Sequence, residues 1–196
     1  MRTNLIFWAL SFCLLAGNTG FGDEAVPLGI YKDDSRIAAN VKATGHRFEA
    51  VVTDYEIEIH WDAESAEVTS ARLEFDFADV KTGRDRRDRE MLEWLDYDSH
   101  PVAEFVLESL ESQGEQLVAR GKLTFHGIEQ QIEFPVTIRQ FNEAIRIIAE
   151  TEIDHTDWDL DEIRAFLIMR VDPVLNIEID IRAGIPRTAA RTLRVR

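Results

Sequence analysis

The sequence predicts an all-β domain: eight one-sided antiparallel strands, with one short helix between the third and the fourth. Three observations carry this reading. Apolar and polar residues alternate with period two in eight separate stretches, which puts successive side chains on opposite faces of a strand. Turn residues such as Gly and Asn separate those stretches, several of them at hairpin distances. One stretch, 86–95, carries the helical period instead. Strands that are apolar on one face cannot bury it singly, so they stack as a sandwich or close as a barrel. Eight strands make a closed barrel just wide enough for side chains or one small ligand.

After a leading segment containing Gly and Pro, 34–41 reads as the first strand, with Ile37 its clearest apolar position. Phe48, Ala50 and Val52 then alternate in one parity, and Tyr55, Ile57, Ile59 and Trp61 in the other. A parity change inside one long run predicts an extra residue near Thr53-Asp54, a β-bulge in a continuous second strand. Glu56, Glu58 and His60 then face water. Thr69, Ala71, Leu73, Phe75 and Phe77 mark the third strand.

The helix follows, from Arg86 to Leu95. Met91, Leu92, Trp94 and Leu95 share one face; Arg86, Arg87, Arg89 and Glu90 take the other. His100-Pro101 ends it, because the residue before proline is pushed out of the α region. Ala103, Phe105 and Leu107 mark the fourth strand, and Gln113-Gly114-Glu115 a turn. Leu117, Ala119, Gly121, Leu123 and Phe125 mark the fifth.

His126-Gly127 makes a tight turn in which glycine takes a positive φ. Ile132, Phe134, Val136 and Ile138 are the sixth strand, with Pro135 on the opposite parity as the sign of an edge or a bulge. Ile145 to Ile153 is the seventh and Leu175 to Ile181 the eighth. Between these two, 159–170 reads as a helix or an irregular crossing. The period-two pattern points Phe105, Leu123 and Phe125 inward and Glu104, Lys122 and Thr124 outward.

The stretch from Lys81 to Val136 also carries a family signature. Arg87-Asp88 precedes an apolar helical segment, His100-Pro101 follows it, a phenylalanine strand closes on Glu108-Ser109, and Gly121-Lys-Leu-Thr-Phe-His-Gly127 forms a hairpin. This order resembles the YceI family, whose members carry an Arg-Asp before a short helix, a Tyr-Pro or similar pair, and a Gly-x-Leu-Thr-x-His-Gly hairpin. More weakly, the resemblance extends from Ile30 to Ala183. The family's connection corresponding to 159–170 is shorter and more plainly β.

The resemblance implies an eight-stranded lipocalin-like β-barrel capped by a helix, with a long apolar cavity for polyisoprenoid lipids. Its lining would be Phe48, Ile57, Ile59, Leu73, Phe75, Phe105, Leu107, Leu123, Phe125, Phe134, Ile138 and Ile147. Met91, Trp94 and Leu95 would be the underside of a lid helix. The alternation alone does not separate a packed interior from a lined one. Interiors normally pack to crystal-like density.

At 196 residues, 45% hydrophobic and 30% charged, the chain has material for one globular domain with a sizeable core. Arg2, the apolar run from Leu5 to Ala16 and the small pair Gly20 and Gly22 read as a secretory signal over 1–22, too short to span a bilayer. The domain proper is then 23–186, and the expected compartment is the periplasm. Cys13 is the only cysteine and lies in that signal, without the small preceding residue that lipidation needs. The mature chain would fold without a disulfide.

Removing 1–22 takes Arg2 and no acid, so the formal charge moves from −15 to −16. That field repels nucleic acid. The last ten residues, 187–196, concentrate Arg187, Arg191, Arg194 and Arg196 in what reads as a disordered basic tail. A transient membrane contact and a homodimer stay open as further partners.

Nothing points to an enzyme. Histidines 46, 60, 100, 126 and 155 have no metal-ligand spacing. Asp157, Asp159 and Asp161 imitate the start of a calcium loop, but Glu162 stands where glycine is required. They read as a solvated acidic loop. Strand alternation puts Glu56 and Glu58 on the outer face, away from any cleft that would shift their pKa values. No catalytic residue, metal or cofactor is expected, apart from a bound polyisoprenoid or quinone-type lipid. The other reading is a structural or stress-related β-domain with a packed core and a protein partner.

Overall fold

Each antiparallel hairpin puts one apolar face on the same side of a single curled sheet. A computed structural model describes residues 25–161, 164–165 and 169–186. Its long strands are β1 (Arg36–Ala43), β2 (His46–Val52), β3 (Glu56–Asp62) and β4 (Glu67–Asp76), then β5 (Val102–Gln113), β6 (Gln116–Phe125), β7 (Ile128–Phe141), β8 (Ala144–Asp154) and β9 (Val174–Gly184). Helix α1 (Asp85–Trp94) lies between β4 and β5. The strands follow in the order β3-β4-β5-β6-β7-β8-β9-β1-β2, all antiparallel. The lipocalin-like, barrel-forming architecture expected from the sequence is present, with nine long strands in place of eight.

The extra strand corrects the reading at Thr53-Asp54. β2 and β3 are not one bulged strand; they are the two opposite edges of the sheet, joined through Thr53, Asp54 and Tyr55. The parity change records that corner. Three residues reach about 10 Å when extended, so the link draws the two edges together there.

A bulge does occur elsewhere. His60 pairs with Ser70 but Trp61 with Val68, so Thr69 is the extra residue and is exposed while Val68 turns in. A second register shift falls between Leu107 and Ser109, after which Leu110 is the inward residue.

Short segments cover both edges, which would otherwise present unpaired backbone groups. Val26 and Pro27 pair with Trp61 and His60, and the Leu28 amide donates to the Ile59 carbonyl at 2.8 Å. Gly29 and Ile30 then pair with Gly184 and Ala183 of β9, so the leading segment straps β3 to β9. Val80 and Lys81 pair with Val52 and Val51 on the other edge.

The predicted His126-Gly127 turn is present. Both residues have positive φ, +48° and +71°, as a type I′ turn requires. Pro135 sits in the middle of β7, opposite Val118, but the ladder to β8 begins only at Val136. One flank of β7 is thus an edge at the proline, and the missing N–H breaks no pairing there.

In 159–170, Arg164–Ala165 pairs with Met169–Arg170 as a small hairpin, and the described residues there form no helix. The signal segment with Cys13, and the basic tail, lie outside the described residues.

Gly121 is buried in β6, where an added Cβ would meet the Val106 carbonyl and the Phe105 ring, the latter at 2.6 Å. Gly121→Ala is therefore expected to cost about 1–3 kcal/mol, because the obstruction includes backbone. A denaturant midpoint unchanged from wild type would contradict this.

Candidate functional site: the apolar interior

One end of the curl, where β4 finishes and β5 begins, is packed. Phe75, Phe77, Phe125 and Trp158 follow one another with ring centroids 5.6, 5.4 and 5.9 Å apart. The last three are buried. Trp158 belongs to a short 3-10 turn, His155–Trp158, directly after β8. Its indole N–H donates to the Leu123 carbonyl at 3.3 Å, and its own carbonyl lies 3.1 Å from His126 Nδ1.

Helix α1 lies over this end. Leu95 is buried, Met91, Leu92 and Trp94 are partly so, and all four pack on the main core. Trp94 meets the buried His155 ring edge-on at 4.9 Å and donates from its indole to the Asp161 carbonyl at 2.9 Å.

Arg87, on the face opposite the apolar one, fixes the helix to a strand end, the role that the sequence gives the Arg87-Asp88 pair. Its guanidinium stacks on Phe48, 3.8 Å from the ring centre, and donates to the Thr82 carbonyl at 2.6 Å. Asp88 accepts from the Thr82 amide at 3.0 Å and from its hydroxyl. The Arg-Asp pair thus ties α1 to the strand segment that covers β2. Phe48 is held under that helix and belongs to neither core cluster.

Beside the turn Asn142-Glu143, at the other end of β7 and β8, Leu28, Ile145, Ile181, Ala183 and Ile185 are buried under the leading segment. Between the packed regions the interior differs. Ile59 and Phe125 are buried in the main cluster and Phe134 in a smaller one with Ala119, Val136 and Ala149. Ile57, Leu73, Phe75, Phe105, Leu107, Leu123, Ile138 and Ile147 keep part of their surface accessible. Leu107, Leu110, Ile132, Ile138, Ile147 and Ile179 pack against both clusters and are only half-buried. Alternation points these large aliphatics inward, where crystal-like packing would remove their remaining surface.

The wall is interrupted between β7 and β8. They pair only from Val136 to Phe141, opposite Ala144 to Ala149. Beyond that, β7 runs on to Ile128 along β6, and β8 runs on to Asp154 along β9. The space between them holds a hollow of ≈ 250 Å³ lined by Gln130, Gln131, Ile132, Glu152, Ile153, Asp154, Asp157 and Trp158. Gln130 Nε2 donates across it to the Asp157 carbonyl at 3.1 Å. A second hollow of ≈ 660 Å³ lies further along the same two strands, against the tip of the β5–β6 hairpin.

Asp154 accepts from the Thr156 hydroxyl at 2.7 Å and from its amide at 3.0 Å, capping the 3-10 turn. The hydroxyl bond, foremost, holds the Asp154 carboxyl below the usual carboxylate range. Asp154→Ala is expected to cost about 1 kcal/mol at neutral pH. A depressed folded-state pKa means stability that is present above the unfolded value, roughly 3.9, and is lost as pH falls through the folded value. The two chains should therefore converge in stability as acid is added. A constant difference down to about pH 2 would contradict it.

These contacts include residues that the sequence reading passed over. Trp158 and Leu160 are buried between the exposed Asp157, Asp159 and Asp161, so the acidic loop is solvated only on alternate residues. The apolar alternation within the triplet was the available signal. Leu110 was hidden by the bulge, which turned it inward three residues after Leu107.

The match to the YceI-like domain model covers residues 30–183. The chain belongs to that family. Solved structures with the same fold include Burkholderia cenocepacia BcnA, at 20% identity and a TM-score of 0.69, covering 79% of this chain and 99% of that one. The Campylobacter jejuni YceI protein matches at 20% identity and 0.60, over 68% of this chain and 82% of its own. A polyisoprenoid binding domain from Saccharophagus degradans, implicated in plant cell wall breakdown, matches at 13% identity and 0.61, over 83% and 100%. No curated protein matches the chain in sequence. In this YceI-like domain the leading strap, 26–29, precedes the matched region. Among the described residues no helix is long and apolar enough to cross a membrane, and no group of His, Cys, Asp and Glu could hold a metal ion.

Proposed function

We propose that this chain binds a polyisoprenoid lipid of the quinone type inside the curled sheet and sequesters or carries it without turnover, in the periplasm after export. The band of half-buried inward aliphatics carries this reading. Its residues pack against both clusters while part of their apolar surface stays accessible. An isoprenoid chain gains ~0.8 kcal/mol for each CH₂ equivalent moved there from water. The fold shared with the Saccharophagus degradans polyisoprenoid binding domain supports the same ligand class. Helix α1 then serves as the closed floor of the site, with Met91, Trp94 and Leu95 as its inner surface.

Mass spectrometry of an organic extract of the purified protein is expected to show an isoprenoid near one per chain. No extractable lipid, together with no uptake of added polyprenol by lipid-stripped protein, would leave the packed structural domain as the reading. For the compartment, N-terminal sequencing of exported protein is expected to begin near Asp23, and finding Arg2 or Thr3 there would overturn export with cleavage.

A further inference from the structure

We propose that the ligand enters and leaves through the side wall, by the cleft between β7 and β8, and that the cleft's rim admits uncharged head groups and turns away isoprenyl phosphates. The inference rests on the polyisoprenoid reading above and adds a route and a head-group class to it.

The route follows from how the sheet is interrupted. β7 and β8 share a ladder only from Val136 to Phe141 opposite Ala144 to Ala149, and the hollow lies beyond its end, with Gln130, Gln131 and Ile132 on one wall and Glu152, Ile153 and Asp154 on the other. It is a gap in the wall itself, with the inward aliphatics Ile132 and Ile153 in its sides. Both strands are paired on their far flanks there, so widening the gap breaks no ladder. Among the described residues a neutral hydrogen bond, Gln130 to the Asp157 carbonyl, crosses it. At the two ends of the curl, among the described residues, α1 and the Trp158 turn pack over one and the strap with the buried Leu28 packs beside the other.

The selectivity follows from the rim. Glu152, Asp154 and Asp157 line the cleft, and Glu115 and Glu150 line the neighbouring hollow. Among the described residues no Lys or Arg lines either one. A phosphate head would pass five carboxylates with no compensating cation, whereas a hydroxyl or quinone head can use Gln130 and Gln131 as neutral partners.

The test uses the full chain with Cys13→Ser, carrying Gln131→Cys and Glu152→Cys, joined by a short bis-maleimide across the cleft. Transfer of a radiolabelled long-chain polyprenol from phosphatidylcholine vesicles is expected to slow by about tenfold or more once the tether is in place, as for other gated sites. The reference rate is that of the same double-cysteine protein before cross-linking, and a control tether between Glu93→Cys on α1 and Asp161→Cys should leave its own untethered rate unchanged. Equal rates with and without the side tether overturn the route, as does slowing by the helix tether alone.

In the second arm, untethered protein should take up the polyprenol about tenfold faster than its monophosphate at low salt. The gap should narrow in Glu152→Gln with Asp157→Asn. Equal uptake, or faster uptake of the phosphate, overturns the selectivity. Failure of the unmodified chain to take up either lipid shows itself without any tether and overturns the polyisoprenoid reading instead.

Discussion

Replacing Trp158 by Ala is expected to lower the stability of this protein by about 3–5 kcal/mol, the range for deleting a buried indole. The ring is 2% exposed, stands edge-on to Phe125 and donates to the Leu123 carbonyl. It also lines the hollow where β7 and β8 part, so its loss enlarges that space at the packed end. A domain of this size is stable by only about 5–15 kcal/mol, so the deletion removes a large share. Trp158→Phe separates the contributions. It keeps most of the apolar volume and loses one hydrogen bond, a change of about 1 kcal/mol. Urea midpoints read both values. Amide exchange should also rise first in β7 from Ile128 to Phe134 and in β8 from Thr151 to Asp154, before β4 and β5 change. A loss below about 1 kcal/mol for the alanine variant would mean that Trp158 does not hold the floor.

That tryptophan marks the limit of what the sequence made legible. Where alternation is uninterrupted the inward face could be read residue by residue, as with Ala103, Phe105 and Leu107 or Leu117 to Phe125. The local chemistry of His126-Gly127 likewise fixes a turn whatever surrounds it. Three misreadings share one cause: period-two counting assumes an unbroken strand. The corner at Thr53 to Tyr55 shifts parity as a bulge would, and only the partners of each strand tell the two apart.

The bulges at Thr69 and Glu108 need the register opposite them. The tie of Arg87-Asp88 to a strand end was legible in the family's motif, but Phe48 under the Arg87 guanidinium is a long-range partner that no periodicity contains. The gap between β7 and β8 was legible least of all. Both strands alternate normally through it, and the interruption lies in what each pairs with. Pro135 was its one local trace, an edge signal inside an otherwise regular strand.

Ile138→Trp and Ile147→Trp, made singly, are expected to abolish most lipid binding with little loss of stability. Both residues face inward, remain half-buried and touch the large and the small cluster. In a filled core, adding about six non-hydrogen atoms at such a position forces neighbours off their rotamers and costs about 1–3 kcal/mol. Next to unfilled space the indole has somewhere to go, and its burial offsets part of that strain. The same atoms then occupy the volume of roughly one isoprene unit. Taking its five carbons out of the site forgoes ~4 kcal/mol at ~0.8 kcal/mol per CH₂, or roughly several hundredfold in affinity. The two readings of this interior therefore predict opposite pairs of results from the same proteins. Thermal denaturation and polyprenol titration, run side by side, decide between them. Binding retained at wild-type affinity, or a drop of several kcal/mol in stability with no lipid to lose, would show that the aliphatic band is core and not a site.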